Sequence, residues 1–237
     1  MARLHWLMER QCEPEVMDDP NLESTRHQAA LRGLARLNLF SASPRIVWAP
    51  ICRLAQRLSV DRLKVVDIAT GGGDIPIRLW TWAKRMGLRL DFHGVDISPQ
   101  AIEVARARAE KAGAEVTFSR MNVLDDPLPQ DADVMICSLF FHHLDNAQAK
   151  SLLQKMSLSA RHLVLISDLR RSVTGWLLAH AAARLLTTSD VVHIDAPLSA
   201  KAAFTSQEFR DLAEAAELRG AKVERRWPCR LLLSWNR

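Results

Sequence analysis

Asp67-Ile68-Ala69-Thr70-Gly71-Gly72-Gly73-Asp74 ends the apolar run Leu63 to Ile68 with what a nucleotide-like ligand requires, bare backbone and charge. Glycine has no Cβ and reaches dihedrals closed to other residues, so a strand that ends in a glycine turn and enters a helix brings main-chain polar groups against a ligand. A second acidic residue, Asp96, ends the next apolar run, where a carboxylate can accept both hydroxyls of a ribose; its other reading is a helix cap, a role that Ser98 already fills. A later apolar run closes in Cys137-Ser138-Leu139-Phe140-Phe141-His142-His143-Leu144. Neutral imidazoles there suit proton abstraction from an acidic hydroxyl, and equally suit packing and hydrogen bonding to loop backbone. Asp145 can orient a histidine or cap the helix that follows.

These residues need parallel strands to hold them at one edge. Short apolar runs alternate with helical patterns from Leu63 onward, the signature of strands joined by crossover helices. Strands are expected at Leu63 to Ala69, Arg89 to Ile97, Glu115 to Ser119, Asp131 to Leu139 and Arg161 to Ser167. The intervening helices are bounded by Gly87, by Ser98-Pro99 and Gly113, and by Asp145 with Gln148. Arg170 to Phe204 interrupts the alternation with an apolar helix over Val173 to Leu186, and Thr205 with Glu208 opens another helix. Ala221 to Trp227 and Arg230 to Trp235 are separated only by Pro228 and Cys229. That is too short for a crossover, so the pair is antiparallel. The expected organisation is an N-terminal helical segment over residues 1–60 and an α/β domain over 61–237, with an insertion at 170–204.

Composition narrows the class. With 237 residues, 48% hydrophobic and 25% charged, the chain has material for one substantial core. The net charge is +5, but 27 acidic residues accompany 32 basic ones without a basic block, so no nucleic-acid partner is expected. Cys12, Cys52, Cys137 and Cys229 lack metal or disulfide spacing and read as reduced thiols. No apolar run approaches the roughly 20 residues of a membrane span, and Met1 to Glu9 has no signal-peptide layout, so a cytoplasmic location and no transmembrane segment are expected.

The turn itself discriminates between ligands. A dinucleotide fingerprint, Gly-x-Gly-x-x-Gly, fails because Pro76 stands at the third position. Asp67-x-Ala69-x-Gly71-x-Gly73 instead resembles the first motif of class I S-adenosylmethionine-dependent methyltransferases, usually Asp/Glu-x-Gly-x-Gly-x-Gly, with alanine at 69 as the departure. The resemblance implies a Rossmann-like seven-stranded sheet with an antiparallel C-terminal hairpin, and S-adenosylmethionine as cofactor with S-adenosylhomocysteine as its product. It implies that the turn of Ala69, Gly71 and Gly73 offers the cofactor backbone contacts, that Asp67 is the acidic group facing its positive charge, that Asp96 takes its ribose, and that Ile97 is a further cofactor contact. Asn122 and Val123 go to the adenine and Ser138 to the same pocket, although Asn122 also reads as a turn residue. No Asn-Pro-Pro-aromatic sequence or Pro-Cys nucleophile is present, and Ser138 stands where a metal-dependent catechol enzyme would carry a carboxylate. No metal is implied.

Leu37 to Trp48 further resembles the region preceding the core of ubiquinone and menaquinone biosynthesis methyltransferases, with Asn38, Ser41 and Trp48 aligned and Arg45 offset by one. This implies a small hydrophobic acceptor, aromatic, quinone-like or polyketide-like, methylated on oxygen in preference to carbon. Asn38, Trp48, Arg170 and Trp176 are then the candidate acceptor contacts, and His142 or His143 the candidate base. The insertion reads either as a lid over the acceptor or as a packed core helix. The rival functions are an RNA methyltransferase and a cofactor-binding subunit without catalysis. The sequence is silent on oligomeric state.

Overall fold

Residues 8–19, 21–41 and 43–237 are described by the computed structural model, so the expectations for positions 1–7 and for Ala42 lie outside the described residues. Five parallel strands follow the expected alternation: β1 (Arg62–Ile68), β2 (Arg89–Asp96), β3 (Val116–Arg120), β4 (Ala132–Ser138) and β5 (Ala160–Leu169). β6 (Lys222–Arg226) and β7 (Arg230–Asn236) pair antiparallel, and the sheet order among the described residues is β3-β2-β1-β4-β5-β7-β6. The order reverses between β1 and β4. Ligands of open α/β sheets bind outside the carboxyl ends of the strands at such a point, which is where the glycine turn and the histidines emerge.

The helices, in chain order, are α1 (Ser24–Phe40), α2 (Ser43–Leu58), α3 (Asp74–Arg85), α4 (Pro99–Ala112), α5 (Asn146–Ser159), α6 (Val173–Leu186), α7 (Asp190–Ala202) and α8 (Ser206–Ala215). Their ends obey capping chemistry. Ser98 accepts the Ala101 N–H, Pro99 occupies the first turn of α4, and Gly113 closes it at φ +59°. Asp145 accepts the Gln148 N–H at 2.8 Å while the Gln148 side chain accepts the Asp145 N–H at 3.1 Å. The sequence reading did not anticipate α7; Ser189 caps it and accepts the Val192 N–H, but Pro197 inside the helix breaks the pattern that would announce it.

Period-2 alternation divides the strands between two apolar layers. Leu63, Val65, Val134, Ile136, Leu163 and Leu165 face α2 and α3, whereas Val66, Ile68, Met135, Cys137, Val164 and Ile166 face the side covered by α5 and α8. α2 therefore belongs to the core of the sheet through Ile46, Val47, Ile51 and Leu54. α1 instead joins the insertion, where Leu22, Ala30, Ala183, Val191 and Val192 form a separate cluster. The helical cover is thus assembled from two distant parts of the chain, with α7 packed on both α6 and α1.

The Asp145 capping box positions the start of α5 directly after the histidine turn. Asp145→Ala is expected to cost about 1 kcal/mol of stability, measured as a lower denaturant midpoint at unchanged slope.

Candidate functional site

β1 ends at Ile68, and Ala69 already has φ +53°, the left-handed region that the glycine of the usual motif enters without strain. Gly73 follows at φ +71°, where a Cβ would stand 2.8 Å from the Phe118 ring and 3.0 Å from Ala105; no larger residue fits this contact between turn, α4 and β3. Gly94, beside Asp67 in the β1–β2 register, leaves the space taken by Phe118 and Thr70. Asp67 is buried, and its carboxylate accepts the Thr70 hydroxyl at 2.6 Å. Loss of hydration raises its pKa to about 8; the Thr70 hydrogen bond opposes the rise and the charges of Asp74 and Asp96 add to it.

Asp96 clasps the turn. Its Oδ2 accepts the Gly71 N–H at 2.8 Å and its Oδ1 accepts the Ser98 N–H at 2.9 Å. Burial pushes this carboxyl up, partly countered by those two N–H groups. Each oxygen has a second lone pair, so the clasp leaves acceptor capacity for a ligand's hydroxyls. His27 of α1 lies near Asp96; burial lowers its pKa, and its buried Nδ1 has no partner among the described residues. Ser138, at the end of β4, also has a buried hydroxyl without a partner there.

The remaining cofactor candidates divide. Ile97 is 55% exposed beside Asp96 at the ligand edge. Asn122 is committed to its own turn: Nδ2 donates to Asp125 at 2.6 Å and Oδ1 accepts the Leu124 N–H at 3.2 Å. The Val123 side chain is part of the apolar core, and the contact that the resemblance implies for this residue is through its main-chain N–H. Local hydrogen bonding thus explains Asn122 without a ligand, the outcome its Asn-x-x-Asp spacing allows.

The histidine turn, a short 3-10 segment over Phe141–His143, is held by carboxylates. Asp168 of β5 accepts the His142 Nδ1–H at 2.7 Å and the His142 main-chain N–H at 3.0 Å. Burial would raise Asp168, but the His142 interactions outweigh it and hold the carboxyl below its ordinary value. His143 Nδ1 lies 3.0 Å from Asp18, and both Nε2 atoms face Glu15, at 3.8 Å from His142 and 3.9 Å from His143. Burial alone would lower the His143 pKa; the Asp18 hydrogen bond and the charges of Glu15, Asp18 and Asp168 prevail and raise it to about 9. Arg10 braces the turn from outside, donating to the carbonyls of His142, Leu144 and Ala202.

The acceptor candidates do not converge on one pocket. Asn38 is buried and donates to Asp74 Oδ2 at 3.1 Å, tying α1 to the first turn of α3. Trp48 packs edge-on against Trp82 of α3, with ring centroids 5.8 Å apart, and so belongs to the packing of α2 on the sheet. The Arg170 main-chain N–H donates to the Cys229 carbonyl, and Trp176 stacks on His180 with centroids 5.5 Å apart. Sequence reading missed Arg230 altogether. This buried guanidinium donates to Ser41 at 3.0 Å through Nη2, while its Nε and Nη1 have no partner among the described residues. Burial lowers its pKa to about 10, with Asp168 opposing, so it carries a positive charge at neutral pH. Glu15 and Asp18 were missed too, because residues so far apart in sequence meet only once the chain folds.

Spare hydrogen-bonding capacity therefore gathers at the ends of β1, β2 and β4: Asp96, the His27 Nδ1 and the Ser138 hydroxyl, around a turn with room for backbone contact. This donor and acceptor set fits a nucleoside with a cationic amino-acid tail. Comparison with known proteins agrees. Residues 65–162 match the family described as a methyltransferase domain. A ubiquinone biosynthesis O-methyltransferase from Idiomarina loihiensis is 30% identical over 123 residues, 51% of this chain and 48% of that protein. A release factor glutamine methyltransferase from Bacillus cereus is 39% identical over 72 residues, 30% of this chain and 24% of that protein. The chain thus matches about half or less of the length of these curated relatives. Among solved structures, the S-adenosylmethionine-dependent methyltransferase SibL superposes with TM-score 0.64 at 17% identity, covering 98% of this chain and 64% of that one. Residues 65–162 are thus similar to a methyltransferase domain, in a sheet whose fold is shared with solved S-adenosylmethionine-dependent methyltransferases.

Proposed function

We propose that the chain transfers a methyl group from S-adenosylmethionine to the oxygen of a small hydrophobic acceptor, aromatic or quinone-like. The observation that carries the cofactor half is the Asp96 clasp, which fixes the glycine turn against the end of β2 while keeping carboxylate lone pairs for a ribose. Asp67 supplies negative charge beneath the turn for the cationic end of the cofactor. The acceptor half is supported by the oxygen chemistry in the name of the Idiomarina relative and by Arg230, whose two spare donors stand at the same sheet edge and suit a carbonyl oxygen.

The bound cofactor supplies an electrophilic methyl group on a sulfonium. The chain's contribution is then placement: the turn, Asp96 and Ser138 fix the donor, and the cover of α1, α6 and α7 limits the approach of the acceptor. Each histidine spends its Nδ1 on a carboxylate and turns its Nε2 toward Glu15, and His143 by itself carries a proton up to about pH 9. The reading accordingly does not rely on a histidine base. One observation favours RNA as the acceptor instead, a cleft of about 520 Å³ lined by Arg32, Arg36, Arg78, Arg85 and Arg108. Salt-sensitive retention of RNA on filters would support that second reading.

Three outcomes are expected. Incubation with a panel of phenols and quinols should give products one methyl group heavier by mass spectrometry; cofactor binding without any methylated product would refute the catalytic reading. Asp96→Ala should weaken S-adenosylhomocysteine binding by about 10- to 100-fold in calorimetry, the worth of hydrogen bonds to a charged group. Because Asp67 titrates at about 8 in the free protein and a cationic ligand favours its charged form, cofactor binding at neutral pH should release a proton. Affinity should then climb by up to about tenfold per pH unit until pH 8 and level off above it, and Asp67→Asn should flatten the profile.

A further inference from the structure

Glu15, His142 and His143 bring one ligand atom each within 4.8 Å of one another, the one such group among the described residues. The contacts have an unusual division of labour. Each imidazole spends its Nδ1 on a carboxylate, Asp168 for His142 at 2.7 Å and Asp18 for His143 at 3.0 Å, and each turns its Nε2 toward Glu15. Those Nε2-to-carboxylate distances, 3.8 and 3.9 Å, are too long for hydrogen bonds. They lie close to the roughly 3.4 Å edge of a tetrahedron built on zinc–nitrogen and zinc–oxygen bonds of about 2.0–2.1 Å.

We propose that Glu15, His142 and His143 form a site for a divalent cation of the zinc class. Two imidazoles and one carboxylate favour such an ion over magnesium or calcium, which prefer oxygen ligands throughout. Asp168 and Asp18 are the outer partners that fix the tautomer and direction of ligating histidines. Ser199 does the same for Glu15, donating to its Oε1 at 2.6 Å. Seating the ion displaces the proton that His143 otherwise holds on its ring. The ligand side chains are shielded, 9% exposed for Glu15, 4% for His142 and 22% for His143. Three protein ligands leave a fourth position for water or an acceptor oxygen. The ion would fasten the segment that precedes α1 to the end of β4, across the mouth of the proposed acceptor site. The proposal holds whether or not the chain transfers methyl groups.

The sequence reading implied no metal because Ser138 stands where a metal-dependent catechol enzyme would carry a carboxylate, an argument that does not touch Glu15 and the histidine pair. The test uses the whole chain after chelation and dialysis, titrated at fixed pH with Zn²⁺ or Co²⁺. One equivalent of Zn²⁺ should be retained and should raise the melting temperature, and Co²⁺ should develop visible absorption without a sulfur charge-transfer band. Glu15→Gln and His143→Gln should each abolish stoichiometric retention. Asp18→Asn, which removes no ligand, should weaken the ion by about 10- to 100-fold. S-adenosylhomocysteine binding and a cooperative melt in each variant separate loss of the ion from loss of the fold; should one variant fail to fold, the other two decide. No retention above the chelated control overturns the proposal. So does retention unchanged in the variants, or a sulfur band that places the ion on a cysteine.

Discussion

A single carboxylate holds the ligand edge in register. Asp96 takes the Gly71 N–H with one oxygen and the Ser98 N–H with the other, so the turn after β1 and the start of α4 are fixed to the same two atoms. Three consecutive glycines bring backbone freedom and no side chains, so the turn is held through its main chain: Thr70 N–H donates to the Val95 carbonyl, Gly73 N–H to the Thr70 carbonyl, and Arg108 to the Gly72 carbonyl. Positive φ at Ala69, Gly71 and Gly73 bends the chain away from the strand, and the clasp makes that bend permanent. Every ligand contact proposed for β1 and β2 depends on this bend. The strand-order reversal between β1 and β4 opens the crevice, and Asp96 keeps the turn from collapsing into it.

The edge is also a place where charge has been buried. Asp67, Asp96 and Asp168 lie at the carboxyl ends of β1, β2 and β5, and loss of hydration pushes upward on each of them. They differ in what answers the burial. Asp67 has one hydroxyl and two acidic neighbours and rises to about 8; Asp168 has His142 and is held down. The same backbone position at the end of a strand thus yields a carboxyl ready to exchange a proton and one locked as an anion. The first suits a site that receives a cation, the second a site that holds an imidazole.

What could be read from the chain was what short range dictates. Ser98-Pro99, Gly113 and the Asp145-Gln148 box announce helix ends because their hydrogen bonds close within a few residues, and the strands announce themselves by apolar runs. Asp67 and Asp96 were legible because both flank a strand end in a motif. The rest needed the third dimension. Glu15, Asp18 and Arg230 reach the site from segments with no motif of their own. Asn122 satisfies its own turn, and Trp48 carries its indole into the packing of α2 on α3. A proline inside α7 hid a helix that covers the molecule's ligand end.

The division between near and far contacts has a consequence for how the molecule is made. What is proposed to hold the donor lies between Arg62 and Ser138, with His27 of α1 added from earlier in the chain, so that half can form while the chain is still being synthesised. The edge proposed for the acceptor is stitched from opposite ends: Arg10 grips the carbonyls of His142, Leu144 and Ala202, and Arg230, at the first residue of the last strand, reaches Ser41. β7 slots between β5 and β6, so the sheet is closed by one of the last segments to appear. A nascent chain would hold the glycine turn and its Asp96 clasp before the edge stitched by Arg10 and Arg230, so whatever that edge recognises would be the final property the molecule acquires.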